Sequence, residues 1–212
     1  PNQIFHIGDT SFAVELGEDL SAAIPPSSFH SMAGAEIIVN ISAESEVLTK
    51  DIYKKKLIQA QSSRCCCSYI YCSSGYGEST QDGVYAGTAM IYENGNILSE
   101  NKRYETESNM IIADVDYERI KALRHKELTK ETVCPNGEGS LSYSKSYKNI
   151  QLGAEASTDF EKTFYREVEA HPFVPGVNEA EIDRRCKEIT SMQIVALASR
   201  LRHINCKTAI IG

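Results

Sequence analysis

The sequence has 212 residues, of which 42% are apolar and 24% are charged, and its formal net charge is -7. This size and apolar content allow a large buried core, whereas the negative charge argues against a general nucleic-acid surface or an anionic-membrane binder. No apolar run approaches the roughly 20 residues that a bilayer span requires, and the N-terminus lacks a signal-peptide pattern. We therefore expect a cytoplasmic protein that binds neither nucleic acid nor membrane.

The first distinctive feature is a strand-like run that ends in a turn. The apolar residues around Val14 alternate with polar ones up to Leu16, and Gly17 follows, then two acids and the pair Pro25-Pro26. A strand that runs into a sharp turn is where many enzymes carry a nucleophile. Here the turn carries a glycine, which permits the left-handed backbone that such turns require.

A strand, a helix and a second strand are predicted next. The apolar run over 35–41 predicts a buried strand, the spacing of apolar residues predicts a helix over 49–63, and RCCCSYIYCSS over 64–74 predicts another buried strand. This order is typical of a βαβ unit with a right-handed crossover. The predicted buried face of the helix comprises Tyr53, Leu57 and Ala60, and the predicted solvent face comprises Lys54, Lys55 and Lys56.

Local signals continue through the middle of the chain. The pair Asn94-Gly95 between two apolar runs predicts a type I′ hairpin. The run over 109–115 predicts a further strand, and Asp116 is a candidate cap for the helix that follows. Strands, crossover helices and hairpins together predict an α/β fold in layers.

The seven cysteines predict no metal site. Cys65, Cys66 and Cys67 are consecutive within a predicted strand, where neighbours point to opposite faces and cannot converge on one ion. No cysteine or histidine spacing suits zinc. We therefore interpret the triplet as small buried apolar side chains in a reducing compartment.

The last third of the chain changes in composition. Residues 129–171 contain few apolar residues and many turn formers, which predicts a linker between a domain over 1–128 and the beginning of another over 172–212. Asn178 is a candidate cap for a long amphipathic helix that ends near His203, and TAIIG over 208–212 predicts the start of a strand. Because the chain lacks an initiator methionine and stops on that strand, we expect a fragment.

Several phrases, in order, resemble a known family. VELGEDLSAAIPPSS, GAEIIVNISAES, SSRCCCSYIYCSSGYGESTQDGVYAG and MIYENGNILSE resemble the later half of the glutaminase domain of glutamine-dependent NAD(+) synthetases, a member of the nitrilase superfamily. HPFVP and RLRHINCKTAIIG resemble the start of the synthetase domain. The resemblance implies part of an α-β-β-α sandwich, then the first helix and strand of an adenine-nucleotide alpha hydrolase-like domain.

The resemblance also implies a reaction. The family hydrolyses glutamine with a Glu, Lys and Cys triad and passes the ammonia to the amidation of nicotinic acid adenine dinucleotide, which uses ATP and Mg²⁺. The cysteine attacks the amide carbon, the glutamate acts as base, and the lysine stabilises the oxyanion. We expect the complete enzyme to be a homo-oligomer, and we expect no cofactor to bind this part of it.

Aligned with the family's motifs, the chain departs from them at the site. Gly17 occupies the position of the nucleophilic cysteine, and the amide of Glu18 would form part of the oxyanion hole. Ser21 replaces a tryptophan, and Glu44 replaces a small serine beside the bound glutamine. Lys50 would contact the substrate carboxylate or Glu44. The triad's glutamate and lysine lie upstream in the family and have no counterpart here.

Three interpretations follow from these departures. In the first, the chain is the central part of a glutamine-hydrolysing NAD(+) synthetase. In the second, it is a catalytically dead amidase-like module kept for assembly or for an ammonia path, because loss of a nucleophile costs about a million-fold in rate. In the third, the changes are errors in the sequence. As a fragment, the chain alone is expected to be inactive.

Overall fold

The computed structural model describes residues 2–79, 83–127, 144–153, 164–168, 178–208 and 210. The chain forms two compact units, Pro1–Arg166 and Glu167–Gly212, which are described separately below. Within the described residues no helix is long and apolar enough to cross a membrane.

The first unit is built around one sheet. Its strands are β1 (Gln3–Ile7), β2 (Thr10–Leu16), β3 (Ile37–Ser42), β4 (Ser68–Ser73), β5 (Ala89–Glu93), β6 (Asn96–Glu100) and β7 (Lys148–Gln151). The seven strands lie in the order β6-β5-β4-β3-β2-β1-β7. The central strands β2, β3 and β4 are parallel, and β1 and β5 flank them antiparallel. The α/β prediction is therefore confirmed, and β3 and β4 pair directly as expected of a βαβ unit.

Helices and one short 3-10 helix complete the described elements. They are the 3-10 helix Gly17–Ser21, α1 (Pro26–Met32), α2 (Lys50–Arg64), α3 (Tyr117–Glu127) and, in the second unit, α4 (Glu179–His203). Proline at the first position suits α1, because that N–H has no partner within the helix. The predicted caps are confirmed: Asp116 Oδ1 accepts from Arg119 N at 2.9 Å, and Asn178 Oδ1 accepts from Ala180 N at 3.1 Å.

One face of the sheet carries the core. Alternate residues of each strand point towards the helices, so Ala13 of β2, Ile38 of β3 and Tyr69 of β4 are all fully buried. Ile58 of α2 is equally buried against them. The remaining core residues are Ile4, Leu20, Ala35, Cys65, Cys67, Tyr71, Met90, Tyr92 and Tyr147.

The opposite face of the sheet is also apolar but less covered. On this face one row across β2, β3 and β4 consists of Val14, Val39 and Ile70. Two residues further along the strands, Leu16 pairs with Ile41, and these side chains are 62% and 56% exposed. Parallel strands are normally covered on both faces, which explains why these strands are apolar on both sides in the sequence.

The three consecutive cysteines form a turn, so their prediction as part of a strand was wrong. α2 continues to Arg64, Cys66 adopts a positive φ of 44°, and β4 begins only at Ser68. Because the turn reverses direction between them, Cys65 and Cys67 both enter the core. All three side chains are buried thiols, which confirms the interpretation of small buried side chains.

The buried face predicted for α2 was wrong in part: Leu57 packs against the core as predicted, but the other two residues do not. Tyr53 is 57% exposed and Ala60 is exposed, whereas Lys54 is 5% exposed. Lys54, Ile58 and Gln61 instead form the buried face. A lysine can occupy this face because acidic and aromatic partners compensate its ammonium group, as described below.

The hairpin prediction is confirmed and the strand predicted over 109–115 is not observed. β5 and β6 pair antiparallel around Asn94 and Gly95, whose φ angles of 45° and 82° are those of a type I′ turn. The run over 109–115 is irregular, and the backbone N–H of Asp116 donates to the buried carboxylate of Glu93 at 2.7 Å. This contact satisfies a main-chain group that a sheet would otherwise have paired.

Part of the stretch predicted as a linker is a strand. β7 lies within 129–171 and pairs parallel with β1. Polar composition does not prevent this, because a four-residue edge strand pairs through main-chain groups, and of its side chains Ile150 alone is partly buried. Most of the rest of that stretch lies outside the described residues, as do Ala209 and 211–212 of the predicted last strand. The described helix α4 has no buried residue.

Candidate functional site

The turn at Gly17 follows β2 directly. Gly17 has a φ of +45°, which L side chains rarely adopt, and opens the 3-10 helix. The carboxylate of Asp19 accepts a hydrogen bond from the backbone N–H of Leu16 at 2.9 Å and so closes the turn. A Cβ built on Gly17 would lie 3.8 Å from Ser42 Oγ, so there is space for a side chain.

A buried polar cluster supports this turn from the helix side of the sheet. Glu15 is 2% exposed; its carboxylate accepts from Ser27 N at 2.7 Å and from the Tyr69 hydroxyl. Asn40 is fully buried and its Nδ2 donates to the Tyr69 hydroxyl oxygen at 3.1 Å and to the Gly17 carbonyl oxygen at 3.3 Å. Burial, followed by the negative charge of Glu15, raises the pKa of Tyr69, which keeps its hydroxyl a donor.

The turn opens onto a small cavity of about 30 Å³, here called the Gly17 cavity. The structure therefore brings together three of the four residues singled out in the sequence: Gly17, Glu44 and Lys50. The cavity is lined by Gly17, Leu20, Ser21, Glu44, Lys50, Tyr53, Lys54, Leu57 and Tyr71. A space of this size holds about one water-sized molecule.

Three of the residues that line the Gly17 cavity are charged, and they pair with one another. Glu44 forms ion pairs with Lys50 at 3.0 Å and with Lys54 at 4.0 Å, and Lys54 lies 3.4 Å from Glu46. Lys54 Nζ also lies 4.9 Å from the centre of the Tyr71 ring. Burial lowers the pKa of Lys54, but Tyr71 and Glu46 outweigh it, so the pKa lies above its ordinary value.

Glu18 does not line the Gly17 cavity with its side chain. It is the second residue of the 3-10 helix and its side chain is exposed. The backbone N–H groups in the first turn of a helix have no partner within that helix, so the Glu18 amide is chemically able to donate to a ligand. Gly17 has no side chain and so supplies no nucleophile itself.

Sequence reasoning missed three residues of this site. Lys54 was assigned to solvent, and neither Tyr71 nor Asn40 was singled out. Asn40 carried a usable signal, since an amide within the apolar run 35–41 has to find buried partners. Lys54 lies within three consecutive lysines, and that pattern gave no reason to select one of them.

A larger cavity of about 540 Å³ adjoins the other side of the turn. Its lining includes Glu15, Leu16 and Asp19 from the turn, together with His30 and Tyr147. His30 Nδ1 shares a hydrogen bond with the Tyr147 hydroxyl at 2.8 Å. Burial lowers the pKa of His30 and raises the pKa of Tyr147 to about 12, so both are held neutral at pH 7.

Among the described residues, no group of three or more His, Cys, Asp and Glu side chains is placed to hold a metal ion.

The fold of the first unit resembles that of known proteins. It is similar to Saccharomyces cerevisiae Nit3, a member of branch 10 of the nitrilase superfamily, with a TM-score of 0.52. The alignment covers 62% of this chain and 47% of that one at 17% sequence identity, so it describes a shared fold. No protein-family model matches the chain.

Sequence comparison is more specific. The chain is 31% identical over 199 residues to the glutamine-dependent NAD(+) synthetase of Mycobacterium tuberculosis (strain H37Rv), and 31% identical over 199 residues to that of Mycobacterium leprae (strain TN). Both alignments cover 94% of this chain, and they span 29% and 28% of those relatives. The resemblance to glutamine-dependent NAD(+) synthetases is thereby confirmed: the chain is similar to these enzymes over nearly its whole length and spans less than a third of theirs.

Proposed function

We propose that this chain is part of a glutamine-dependent NAD(+) synthetase and contributes the later half of its amidase-like domain. The observation that carries the proposal is the sequence similarity along 94% of the chain, together with a strand, turn and cavity where the family's motif falls. In the complete enzyme, ammonia would amidate nicotinic acid adenine dinucleotide to NAD in a reaction that uses ATP and Mg²⁺.

Within that enzyme, the amidase-like module would no longer hydrolyse glutamine. In the family's motif the attacking thiol falls on Gly17, which has no side chain; a Cβ there would have room, with Ser42 Oγ 3.8 Å away, although the φ of +45° would strain it. Glu44 adds a negative charge where a glutamine carboxylate would have to approach. The module would then serve assembly or the passage of ammonia, and free ammonium would be the nitrogen donor.

In the complete enzyme, further elements would cover the surfaces that this chain leaves exposed. The exposed apolar face with Leu16 and Ile41 would pack against a second sheet to complete an α-β-β-α sandwich. The second unit, with α4, would begin an adenine-nucleotide alpha hydrolase-like domain, and the complete enzyme would be a cytoplasmic homo-oligomer. Free thiols at all six described cysteines favour a reducing compartment.

The test is an assay of NAD formation by the complete protein with glutamine or with ammonium as the nitrogen donor. We expect turnover with ammonium and none with glutamine. Turnover with glutamine that matches the ammonium rate would contradict loss of the amidase step, and failure with both donors would contradict the synthetase assignment.

A matched variant separates a lost nucleophile from a lost fold. The double substitution Gly17→Cys with Glu44→Ser should restore measurable glutamine-dependent turnover if the remaining site is intact. The single substitution Glu44→Ser serves as the control, because it opens the pocket without supplying a nucleophile.

A further inference from the structure

Two thiols meet in the core directly after α2. Cys65 and Cys67 are 4% and 0% exposed, and the Cys67 thiol donates a hydrogen bond to the sulfur of Cys65. They meet because the chain reverses at Cys66, whose φ is 44°. The Cys66 thiol donates instead to the Ser63 carbonyl oxygen at 3.7 Å. The first and third thiols of the triplet therefore form a pair.

A partly buried cation lies beside this pair. The guanidinium group of Arg124 donates to four neutral acceptors, which are Ser31 Oγ at 2.8 Å and the carbonyl oxygens of Ala35 at 2.5 Å, Cys66 at 2.9 Å and Cys65 at 3.2 Å. The acid that acts on it, Glu36, forms its ion pair with Lys121 at 3.5 Å. Burial lowers the pKa of Arg124, so its positive charge is not fully compensated, and a negative charge on a neighbouring sulfur would stabilise it.

The two thiols of the pair are not equivalent. Cys65 Sγ accepts from the Cys67 thiol and from Gln61 Nε2, the latter at 3.2 Å. The hydrogen bond from Cys67, together with the charge of Arg124, lowers the pKa of Cys65 against the effect of burial. The same hydrogen bond and burial raise the pKa of Cys67. Cys65 therefore ionises first, and the thiolate is the form of cysteine that attacks an oxidant.

We propose that Cys65 and Cys67 are a modification site for hydrogen peroxide, at which Cys65 reacts first and Cys67 then closes an intramolecular disulfide. The Cys65 thiolate attacks one peroxide oxygen, the O–O bond breaks, and the products are a sulfenic acid and hydroxide, which takes up the proton that Cys65 released. The sulfur of Cys67 then displaces the sulfenic oxygen, which leaves as water with the proton of the Cys67 thiol. The two sulfur atoms lose two electrons in total, and one peroxide becomes two waters.

The site is separate from the Gly17 cavity and its modification should be reversible. Lys50, which lines that cavity, is the first residue of α2, and Cys65 follows the last, so about 22 Å of helix lies between them. A disulfide that encloses Cys66 alone closes a very short loop, and a strained disulfide is readily reduced by small thiols. Peroxide is little larger than water, so it reaches Cys65 through a smaller opening than an alkylating reagent requires.

The experiment treats the complete protein with hydrogen peroxide at pH 7, unfolds it in an alkylating reagent and locates the modified cysteines by peptide mass spectrometry. We expect a disulfide between Cys65 and Cys67, detected as the loss of two hydrogen atoms and of two alkylation sites, and reversed by dithiothreitol. The three exposed thiols are the internal reference and should remain alkylatable at the dose that oxidises half of the pair: Cys72, Cys186 and Cys206.

Variants separate the roles of the groups. Cys67→Ser should stop the reaction at the sulfenic acid of Cys65, which dimedone traps, whereas Cys66→Ser should form the disulfide as wild type does. Arg124→Met should slow oxidation of the pair about tenfold, because the fraction of Cys65 present as thiolate falls. Lys126→Met, which removes an exposed cation from the same helix, should leave the rate unchanged.

The location of the oxidised sulfur decides the outcome. Oxidation of the exposed cysteines while Cys65 and Cys67 stay reduced would overturn the proposal, and so would a disulfide that includes Cys66. A folded Arg124→Met protein, verified by circular dichroism, whose pair oxidises at the wild-type rate or faster would also overturn it. If Arg124→Met does not fold, the disulfide in wild type and the trapped sulfenic acid in Cys67→Ser give the test.

Discussion

The side-chain nitrogen of Asn40 lies 3.3 Å from the carbonyl oxygen of Gly17 and so joins the middle of β3 to the turn at the end of β2. The same nitrogen reaches the Tyr69 hydroxyl of β4 at 3.1 Å. Three adjacent parallel strands are thereby connected beside the turn by one buried amide. The turn keeps its conformation because groups on its neighbours hold it, as well as through its own sequence.

Substitution of Asn40 should therefore destabilise the fold in a way that depends on the replacement. Asn40→Ala leaves the Gly17 carbonyl with one fewer donor, and we expect a loss of about 1–3 kcal/mol in the free energy of unfolding. Asn40→Asp should cost more at pH 7, because it places a second carboxylate beside Glu15. Urea unfolding measures both, and Asn149→Ala, which removes an exposed amide, is the control. Equal losses for Asn40→Ala and Asn149→Ala would contradict the role of Asn40.

The backbone at Gly17 predicts a conformational cost for any side chain there. The φ of +45° disfavours L residues, whereas the nearest atom to a built Cβ is 3.8 Å away, so strain is expected without a clash. Gly17→Ala should lower the free energy of unfolding by about 1 kcal/mol, and Gly17→Asn by less. Gly153→Ala is the control, since a Cβ there meets open space without a positive φ. A loss for Gly17→Ala no larger than for Gly153→Ala would show that the turn relaxes.

The buried histidine predicts a pH dependence of stability. Burial lowers the pKa of His30 in the folded state, while Glu15 and Asp19 partly oppose this and Tyr147 remains neutral. Below about pH 6.5 the unfolded chain binds a proton that the folded state resists, so the free energy of unfolding falls as the pH decreases towards the folded-state pKa. Above pH 6.5 His30 is neutral in both states and contributes no slope.

The measurement compares wild type with His30→Gln by urea unfolding between pH 7.5 and 5.5. We expect the wild-type protein to lose more stability over this range than the variant does. The comparison cancels the contribution of carboxylates that both proteins share. A variant with the same or a steeper slope would contradict the assignment to His30.

The contact of Arg166 with Glu93 predicts a large effect near the end of the first unit. Arg166 Nη1 and Nη2 each donate to one oxygen of the Glu93 carboxylate at 2.8 Å, and the Glu93 side chain is 4% exposed. Among the described contacts, Arg166→Ala would leave the buried charge with the Asp116 backbone donor alone, and we expect a loss of about 2–3 kcal/mol by urea unfolding. Lys55→Ala breaks the more exposed pair with Glu100 and should cost under about 1 kcal/mol. Similar losses for the two variants would show that burial of Glu93 adds nothing to the pair.

Local sequence signals predicted the features that local physics determines. The hairpin at Asn94-Gly95 and the caps at Asp116 and Asn178 depend on a few adjacent residues, and the structure confirms all three. The failures have non-local causes. The cysteine turn depends on where α2 ends, and β7 forms because β1 offers an unpaired edge.

In the candidate site, too, some residues could be predicted from the sequence and others depend on distant partners. The resemblance selected Gly17, Glu44 and Lys50, which the structure places around one cavity, and their proposed roles stay predictions. The burial of Lys54 follows from Glu44, Glu46 and Tyr71, which are distant in sequence or on other elements. The helical spacing to Ile58 places Lys54 on the buried face, but the predicted face was built on Tyr53, Leu57 and Ala60 and so assigned Lys54 to the other side.

The turn formed by the cysteine triplet allows opening of the core to be followed by alkylation and mass spectrometry. Six thiols lie in the described residues: Cys65, Cys66 and Cys67 are shielded, and Cys72, Cys186 and Cys206 face solvent. An alkylating reagent should modify the second group at once and the first only as fast as the chain opens around residues 65–67. The rate at which these three neighbouring cysteines are alkylated therefore measures how fast the core opens, without an introduced dye.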